Sequence, residues 1–162
     1  MRRHLGLPAA AAAVLATIAA PVSTAHASDA VTVGTERENA VVRLVNAHRA
    51  KEGCRALKHH RQLHRAARGH AADMAEYRYF SSESRDDRSF TDRLRQAGFK
   101  GGTAWAQNIA KGQRTPAIVV RSWMSSPGTK ANIMNCKYTL IGVGAAEDSD
   151  GSIYWTQMLA AR

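Results

Sequence analysis

The chain has 162 residues, and its 23 Lys and Arg exceed its 13 Asp and Glu to give a formal net charge of +10. This length is enough for one domain with one hydrophobic core. A surface this basic attracts polyanions such as wall polymers or acidic lipids in a salt-dependent way. An incidental high isoelectric point explains the charge equally well.

The N-terminus is typical of an export signal rather than of a folded segment. Arg2 and Arg3 precede an alanine-rich apolar run over residues 5–22, and a small-x-small motif ends at Ala27. This order predicts a Sec-type signal peptide over residues 1–27, with cleavage near Ala27-Ser28, and hence a secreted, extracellular protein. The alternative is a permanent membrane span, but prolines interrupt the run. We expect no span in the mature chain.

Helical periodicity predicts two long helices in the first half of the chain. The first covers residues 36–51. We place a short leader at residues 28–37, which overlaps the start of this helix, and a domain at residues 38–162. The second helix covers residues 60–77.

Two shorter helices follow, each with a recognisable start. Ser89 or Thr91 can cap a third helix that ends before Gly98. Thr115 followed by Pro116 is a favourable start for a fourth helix, because proline lacks only an N–H that has no helical partner at that position.

The C-terminal segment predicts a β-hairpin. Residues 138–146 and 152–160 read as two strands, and the acidic residues 147–151 form the turn between them. Gly142 and Gly144 lie in the first strand, where they permit another backbone to approach closely.

Residues 123–144 join the end of the fourth helix to the first of these strands. Ser126-Pro127-Gly128 predicts a stop to that helix, because proline disfavours helical backbone before it and glycine tolerates a positive φ in a tight turn. A second short helical turn follows before the strand begins.

The segment W-M-S-S-P-G-T-K-A-N-I-M, with H-A-A-D-M-A-E-Y-R-Y-F in the second helix, resembles the CAP superfamily. This family, also called the SCP domain, comprises cysteine-rich secretory proteins, antigen 5 and pathogenesis-related proteins, and the chain is similar in particular to its bacterial secreted members. The resemblance extends from about residue 38 to 160. It implies an α+β fold, a three-layer α-β-α sandwich with a small, mainly antiparallel sheet and a central cleft.

The cleft of this family holds two histidines and two acidic residues that can bind zinc or another divalent ion. Matched by motif, Ser82 and Thr129 stand where the histidines are expected, and Gln107 replaces one glutamate. The second acidic position falls at Ser125 or at Leu140. Hydroxyls and amides neither bind zinc well nor titrate near neutral pH. We therefore predict a degenerate tetrad with no metal, no cofactor and no catalytic residue.

The distribution of ligand-type residues agrees with this prediction independently of any alignment. No histidine follows His70, and no Asp or Glu lies between Arg93 and Ala146. The half of the chain that should supply most of the tetrad therefore lacks the side chains that bind metals well.

The two cysteines, Cys54 and Cys136, predict one disulfide in an exported chain. The alternative is a pair of free buried thiols. Bacterial relatives carry similar cysteine pairs, and this resemblance favours the disulfide.

Basic residues at spacings of three and four predict a second candidate site on one face of the second helix, where they could bind anions. A merely solvated face is the alternative. These residues are Lys58, Arg61, Arg65 and Arg68.

We predict a non-enzymatic, monomeric extracellular binding module whose ligand is a lipid or an anionic polymer of the cell envelope. One alternative is an extracellular hydrolase of wall or protein substrates, and another is a polyanion binder that uses the basic helix face. We expect no specific binding of nucleic acid.

Overall fold

The computed structural model of the protein describes residues 32–162, which belong to one compact unit. The predicted signal peptide and the first residues of the leader lie outside the described residues. The helices of the described part are α1 (Glu36–Lys51), α2 (Arg61–Tyr77), α3 (Phe90–Gln96), α4 (Pro116–Ser125) and α5 (Pro127–Met134). The strands are β1 (Lys58–His59), β2 (Ala104–Lys111), β3 (Leu140–Glu147) and β4 (Ile153–Ala161).

The four strands form one mixed sheet in the order β1-β3-β4-β2. The hairpin partners β3 and β4 are antiparallel, as are β4 and β2, whereas the two-residue strand β1 runs parallel to β3. Leu140 lies opposite Ala160 at one end of the hairpin, and Glu147 lies opposite Ile153 at the other. The predicted α+β fold with a small, mainly antiparallel sheet is confirmed.

Side chains of the central strand β4 alternate between two apolar layers. Trp155 and Leu159 pack with residues of α1, α4 and α5, whereas Met158 and Ala160 pack with residues of α2 and α3. Every residue of β4 is buried, as expected for a strand covered by helices on both faces of the sheet. The sheet is therefore the middle layer of the predicted sandwich.

Gly142 and Gly144 allow α2 to lie directly against β3. A Cβ atom at Gly142 would come well within 3.0 Å of backbone atoms of Leu63 and His64, and one at Gly144 would meet the backbone of Arg68 equally closely. The neighbouring β3 residues point to the other face of the sheet. The close backbone approach predicted from the two glycines is thus what the fold shows.

The Ser126-Pro127-Gly128 segment does end α4, but it starts α5 at the same point. Ser126 is the C-cap of α4 and also the N-cap of α5, and Pro127 occupies the first turn of α5. Gly128 lies inside that helix, and its φ is not positive. The predicted glycine turn is therefore wrong, because a proline that cannot continue one helix is well suited to begin the next.

α1 begins inside the stretch that we placed in the leader. The Thr35 hydroxyl accepts a hydrogen bond from the Glu38 amide, and the Glu38 carboxylate accepts one from the Thr35 amide at 2.7 Å. This reciprocal capping fixes the start of α1 at Glu36. Residues 36 and 37 are therefore helical, as the periodicity of residues 36–51 predicts.

The predicted disulfide between Cys54 and Cys136 is confirmed, and it joins the loop after α1 to the loop after α5. Arg49 holds the same two loops together from within the core. Its side chain is fully buried and donates hydrogen bonds to four backbone carbonyls. Those carbonyls belong to Arg55, Ile133, Asn135 and Tyr138.

Within residues 32–162, no helix combines the length and the apolar character that a membrane crossing requires.

Candidate functional site

Ser82 and Gln107, two of the four predicted cleft positions, are joined by a hydrogen bond. The Gln107 side-chain amide donates to the Ser82 carbonyl at 3.2 Å. Gln107 projects from strand β2, which pairs with β4 at one edge of the sheet, and Ser82 lies in the loop between α2 and α3. This contact connects the edge strand to the loop that covers it.

Arg93 of α3 forms hydrogen bonds with both Ser82 and Gln107. Its terminal nitrogens donate to the carbonyls of Ser82 at 2.6 Å and Arg88 at 2.9 Å, to the Ser84 hydroxyl at 2.8 Å and to the Gln107 Oε1 at 2.7 Å. The side chain is 5% exposed, and burial lowers the pKa of Arg93 to about 10, so it remains charged at neutral pH. We call these five residues the Arg93 cluster.

A cation from the protein itself therefore lies beside Gln107. A glutamine oxygen accepts from a guanidinium without the need for a formal negative charge. A divalent metal ion at the same place would be repelled by Arg93. The chemistry of the Arg93 cluster does not fit a cation site.

Thr129 belongs to a neighbouring polar network at the start of α5. Its hydroxyl donates to the Trp123 carbonyl at 2.6 Å, and its own carbonyl accepts from the Asn108 side chain at 3.1 Å. The Asn132 side chain donates to Asn108 Oδ1 at 2.8 Å. The Thr129 hydroxyl is therefore used within the junction of α4 and α5.

Neither candidate for the fourth cleft position lies in the Arg93 cluster. Ser125 is exposed, donates to the carbonyl of Arg121 in its own helix, and lines a cavity between α1 and α4. Leu140 is buried in the apolar layer formed with α2 and α3. The structure thus brings Ser82 and Gln107 together, places Thr129 in the adjoining network, and separates Ser125 from both.

No group of three or more His, Cys, Asp or Glu within residues 32–162 is arranged to hold a metal ion.

The predicted basic face divides into residues with different surroundings. Lys58 lies in strand β1 and not on α2. Arg61, Arg65 and Arg68 are all exposed on α2, and Arg68 also donates to the buried carboxylate of Glu38 at 2.7 Å. Arg68 therefore contributes to the fold through this ion pair while it stays exposed, and the helical part of the face comprises Arg61, Arg65 and Arg68.

Glu38 is a buried charge that the sequence analysis did not single out. Its carboxylate is fully buried and accepts hydrogen bonds from the amides of Thr35 and Ala145 and from the side chains of His64 and Arg68. Although burial raises it, these hydrogen bonds hold the pKa of Glu38 well below its ordinary value. The carboxylate is an electrostatic link between α1, α2 and β3.

His70 of α2 lies against the Arg93 cluster and is 1% exposed. Its Nε2 donates to the Ser81 carbonyl at 2.8 Å, so this ring nitrogen carries the proton in the neutral tautomer. Burial, and then the positive charge of Arg93, lowers the pKa of His70 to about 4. The imidazole is therefore neutral at the pH of most extracellular fluids.

Acidification is expected to destabilise the protein through His70. Between pH 6.5 and about 4, the unfolded chain binds a proton that the folded chain excludes, so stability falls as the pH falls through this window. Within it, the contribution is about 1.4 kcal/mol for each pH unit. Urea unfolding at several pH values should show a shallower pH dependence for His70→Gln than for the wild type. Equal slopes would contradict the assignment.

The domain is an α-β-α sandwich around a mixed sheet, and the Arg93 cluster lies at one edge of that sheet. Residues 42–159 match the family described as "CAP: Cysteine-rich secretory protein family". The chain is 42% identical over 125 residues to the uncharacterised protein YkwD of Bacillus subtilis. The matched region covers 77% of this chain and 47% of YkwD. It is 31% identical over 130 residues to the uncharacterised membrane protein YlbC of the same organism, covering 80% of this chain and 36% of that one.

Solved structures agree with this assignment. An extracellular protein containing an SCP domain from Bacillus anthracis superposes with a TM-score of 0.70 at 26% identity, over 78% of this chain and 40% of that one. An outer surface protein of Borrelia burgdorferi shares the fold with a TM-score of 0.72 at 18% identity, over 80% of this chain and 96% of that one. The chain belongs to the CAP family. It spans less than half the length of the Bacillus subtilis relatives.

Proposed function

We propose that the protein is an extracellular CAP-domain binding module that works without a metal ion, and that its ligand is a lipid of the cell envelope. The position of Arg93 supports the proposal that the module works without a metal ion. Its guanidinium contacts both Ser82 and Gln107, two positions that match metal ligands in the family. A buried positive charge there opposes a divalent cation and leaves a polar surface that binds through hydrogen bonds.

The cavity between α1 and α4 supports a lipid as the ligand. Its volume is about 320 Å³, and apolar side chains including Leu44, Val120 and Met124 line it. His48, Arg121 and Ser125 supply polar atoms to the same cavity. An apolar cavity with a few polar groups suits an acyl chain attached to a polar head group.

Metal binding is tested by equilibrium dialysis of the purified secreted protein against zinc. We expect no stoichiometric zinc, because the cleft offers a guanidinium and neutral oxygens in place of imidazoles and carboxylates. One tightly bound zinc per chain that a chelator removes would overturn this part of the proposal.

Lipid binding is tested by titration with a fluorescent fatty acid. We expect saturable binding that a chelator does not change, and at least a tenfold loss of affinity in Ala117→Phe, which places a ring in the cavity. Ile118→Phe is the matched control, because Ile118 is exposed on the same helix and does not line the cavity. Equal effects of the two substitutions would contradict the assignment of the cavity.

A further inference from the structure

A second cavity lies between α2 and α3, on the opposite side of the sheet from the α1–α4 cavity, and we call it the α2–α3 cavity. Its volume is about 270 Å³. The charged and titratable side chains that line it are Arg65, His70, Asp73, Arg88 and Arg93. None of these is required for lipid binding between α1 and α4.

Two buried nitrogens on the lining residues lack partners. Nδ1 of His70 and Nε of Arg93 find no hydrogen-bond partner within residues 32–162. The two side chains are only 1% and 5% exposed, so solvent at the surface does not supply the partner. The other ring nitrogen of His70 and the terminal nitrogens of Arg93 are all hydrogen-bonded. Buried polar atoms are nearly always satisfied, so an unpartnered pair on one cavity points to a bound polar group.

The charge of the α2–α3 cavity is positive. Three guanidinium groups line it against the one carboxylate of Asp73, which already accepts a hydrogen bond from the Tyr79 hydroxyl. Arg88 is paired with Asp86, but Arg65 and Arg93 have no carboxylate partner in the described part of the chain. A partly enclosed cavity with this balance attracts anions.

One of the two unpartnered nitrogens is a hydrogen-bond acceptor and the other is a donor. Because Nε2 of neutral His70 carries the proton, Nδ1 is an acceptor, whereas Nε–H of Arg93 is a donor. Neither atom is exposed at the protein surface. A group that satisfies both must therefore donate one hydrogen bond and accept another. Because three guanidinium groups line the same cavity, an anion that carries a hydroxyl suits both the two nitrogens and the charge.

We propose that the α2–α3 cavity binds a phosphate group, as inorganic phosphate or as a phosphomonoester. The anionic oxygens accept from Arg93 Nε–H and from Arg65, and the remaining P–OH of the monoanion donates to Nδ1 of His70. Sulfate carries no proton at neutral pH and a phosphodiester has no P–OH. The cavity should therefore discriminate against both.

The test is an NMR titration of the secreted protein with sodium phosphate at constant ionic strength and pH 6.5, observing the imidazole resonances of His70. We expect saturable shifts with phosphate, and an affinity for sulfate or dimethyl phosphate at least tenfold weaker. Glycerol 3-phosphate distinguishes the two sources: competition with inorganic phosphate indicates a phosphomonoester site, and its exclusion indicates a site for the free ion. Equal affinities for phosphate and sulfate, or no saturable shift with phosphate, would overturn the proposal.

Arg65→Gln should weaken phosphate binding about tenfold, because it removes an exposed guanidinium from the cavity wall. Arg61→Gln is the matched control, since Arg61 is exposed one turn earlier on α2 and does not line the cavity. Both variants should keep the urea midpoint of the wild type. Equal weakening by the two substitutions would mean that the general charge of the helix, and not this cavity, binds the anion.

Discussion

Replacing Gly142 or Gly144 by alanine is expected to abolish folding or to cost at least about 4 kcal/mol of unfolding free energy. The added methyl group would lie within 3.0 Å of the α2 backbone, where no flexible side chain can move aside. α2 would have to separate from β3, and the apolar layer that includes Leu63 and Met158 would open. Urea unfolding followed by circular dichroism measures the loss.

Gly69→Ala is the matched control, because Gly69 lies in α2 and an added methyl group meets nothing within 4 Å. Alanine is the better helix former by roughly 0.5–1 kcal/mol, so this variant should be more stable than the wild type. A Gly142→Ala variant with the stability of the wild type would show that the distance between α2 and β3 is not fixed by the glycines.

Removal of the disulfide by the double substitution Cys54→Ala and Cys136→Ala should cost about 4–5 kcal/mol. The bond spans a sequence separation of 82 residues, so it removes many conformations from the unfolded chain. The native structure should change little, because Arg49 still joins the two loops. Guanidinium unfolding of the variant and of the wild type gives the difference.

The wild type in the presence of a reductant is the matched control for the alanine side chains themselves. Its stability should fall by about the same amount as that of the double variant, and its native circular dichroism spectrum should stay the same. A loss of less than about 1 kcal/mol on reduction would contradict the entropic origin of the effect.

Local patterns in the sequence predicted most of the fold. The caps at Ser89 and Thr115 mark the starts of α3 and α4, and the two glycines of β3 correctly indicated a close backbone contact. β2 was not predicted as a strand. Its core-facing side chains are alanines and the buried Asn108, which carry little hydrophobic signal, and the strand is defined by its pairing with β4.

The periodicity of α1 places two charged residues on its buried face. Glu38 and Arg49 share the buried face with Val41, Val42 and Val45, at helical spacings of three, four and seven residues. Charges at core positions of an amphipathic helix indicate buried polar links. Neither Glu38 nor Arg49 was given a structural role in the sequence analysis.

The candidate site could be predicted only in part. The sequence predicted that Ser82 and Gln107 lie in the cleft. The Arg93 cluster, however, depends on contacts that connect α3, the preceding loop and β2. Likewise, His70 and Arg93 are 23 positions apart, and only the packing of α3 on α2 places them on one cavity. Local periodicity carries no information about such tertiary contacts.

The hydrogen bonds of Arg49 do not depend on the disulfide, so we expect them to bring the two cysteine loops together in a reduced chain as well. The Arg49 guanidinium draws the loop at Arg55 towards the carbonyls of Ile133 and Tyr138 by hydrogen bonds that a reduced chain can also form. With two cysteines in the whole chain, one intramolecular pairing is available. Oxidation of the cysteines should then follow folding, without a disulfide isomerase to correct mispaired intermediates.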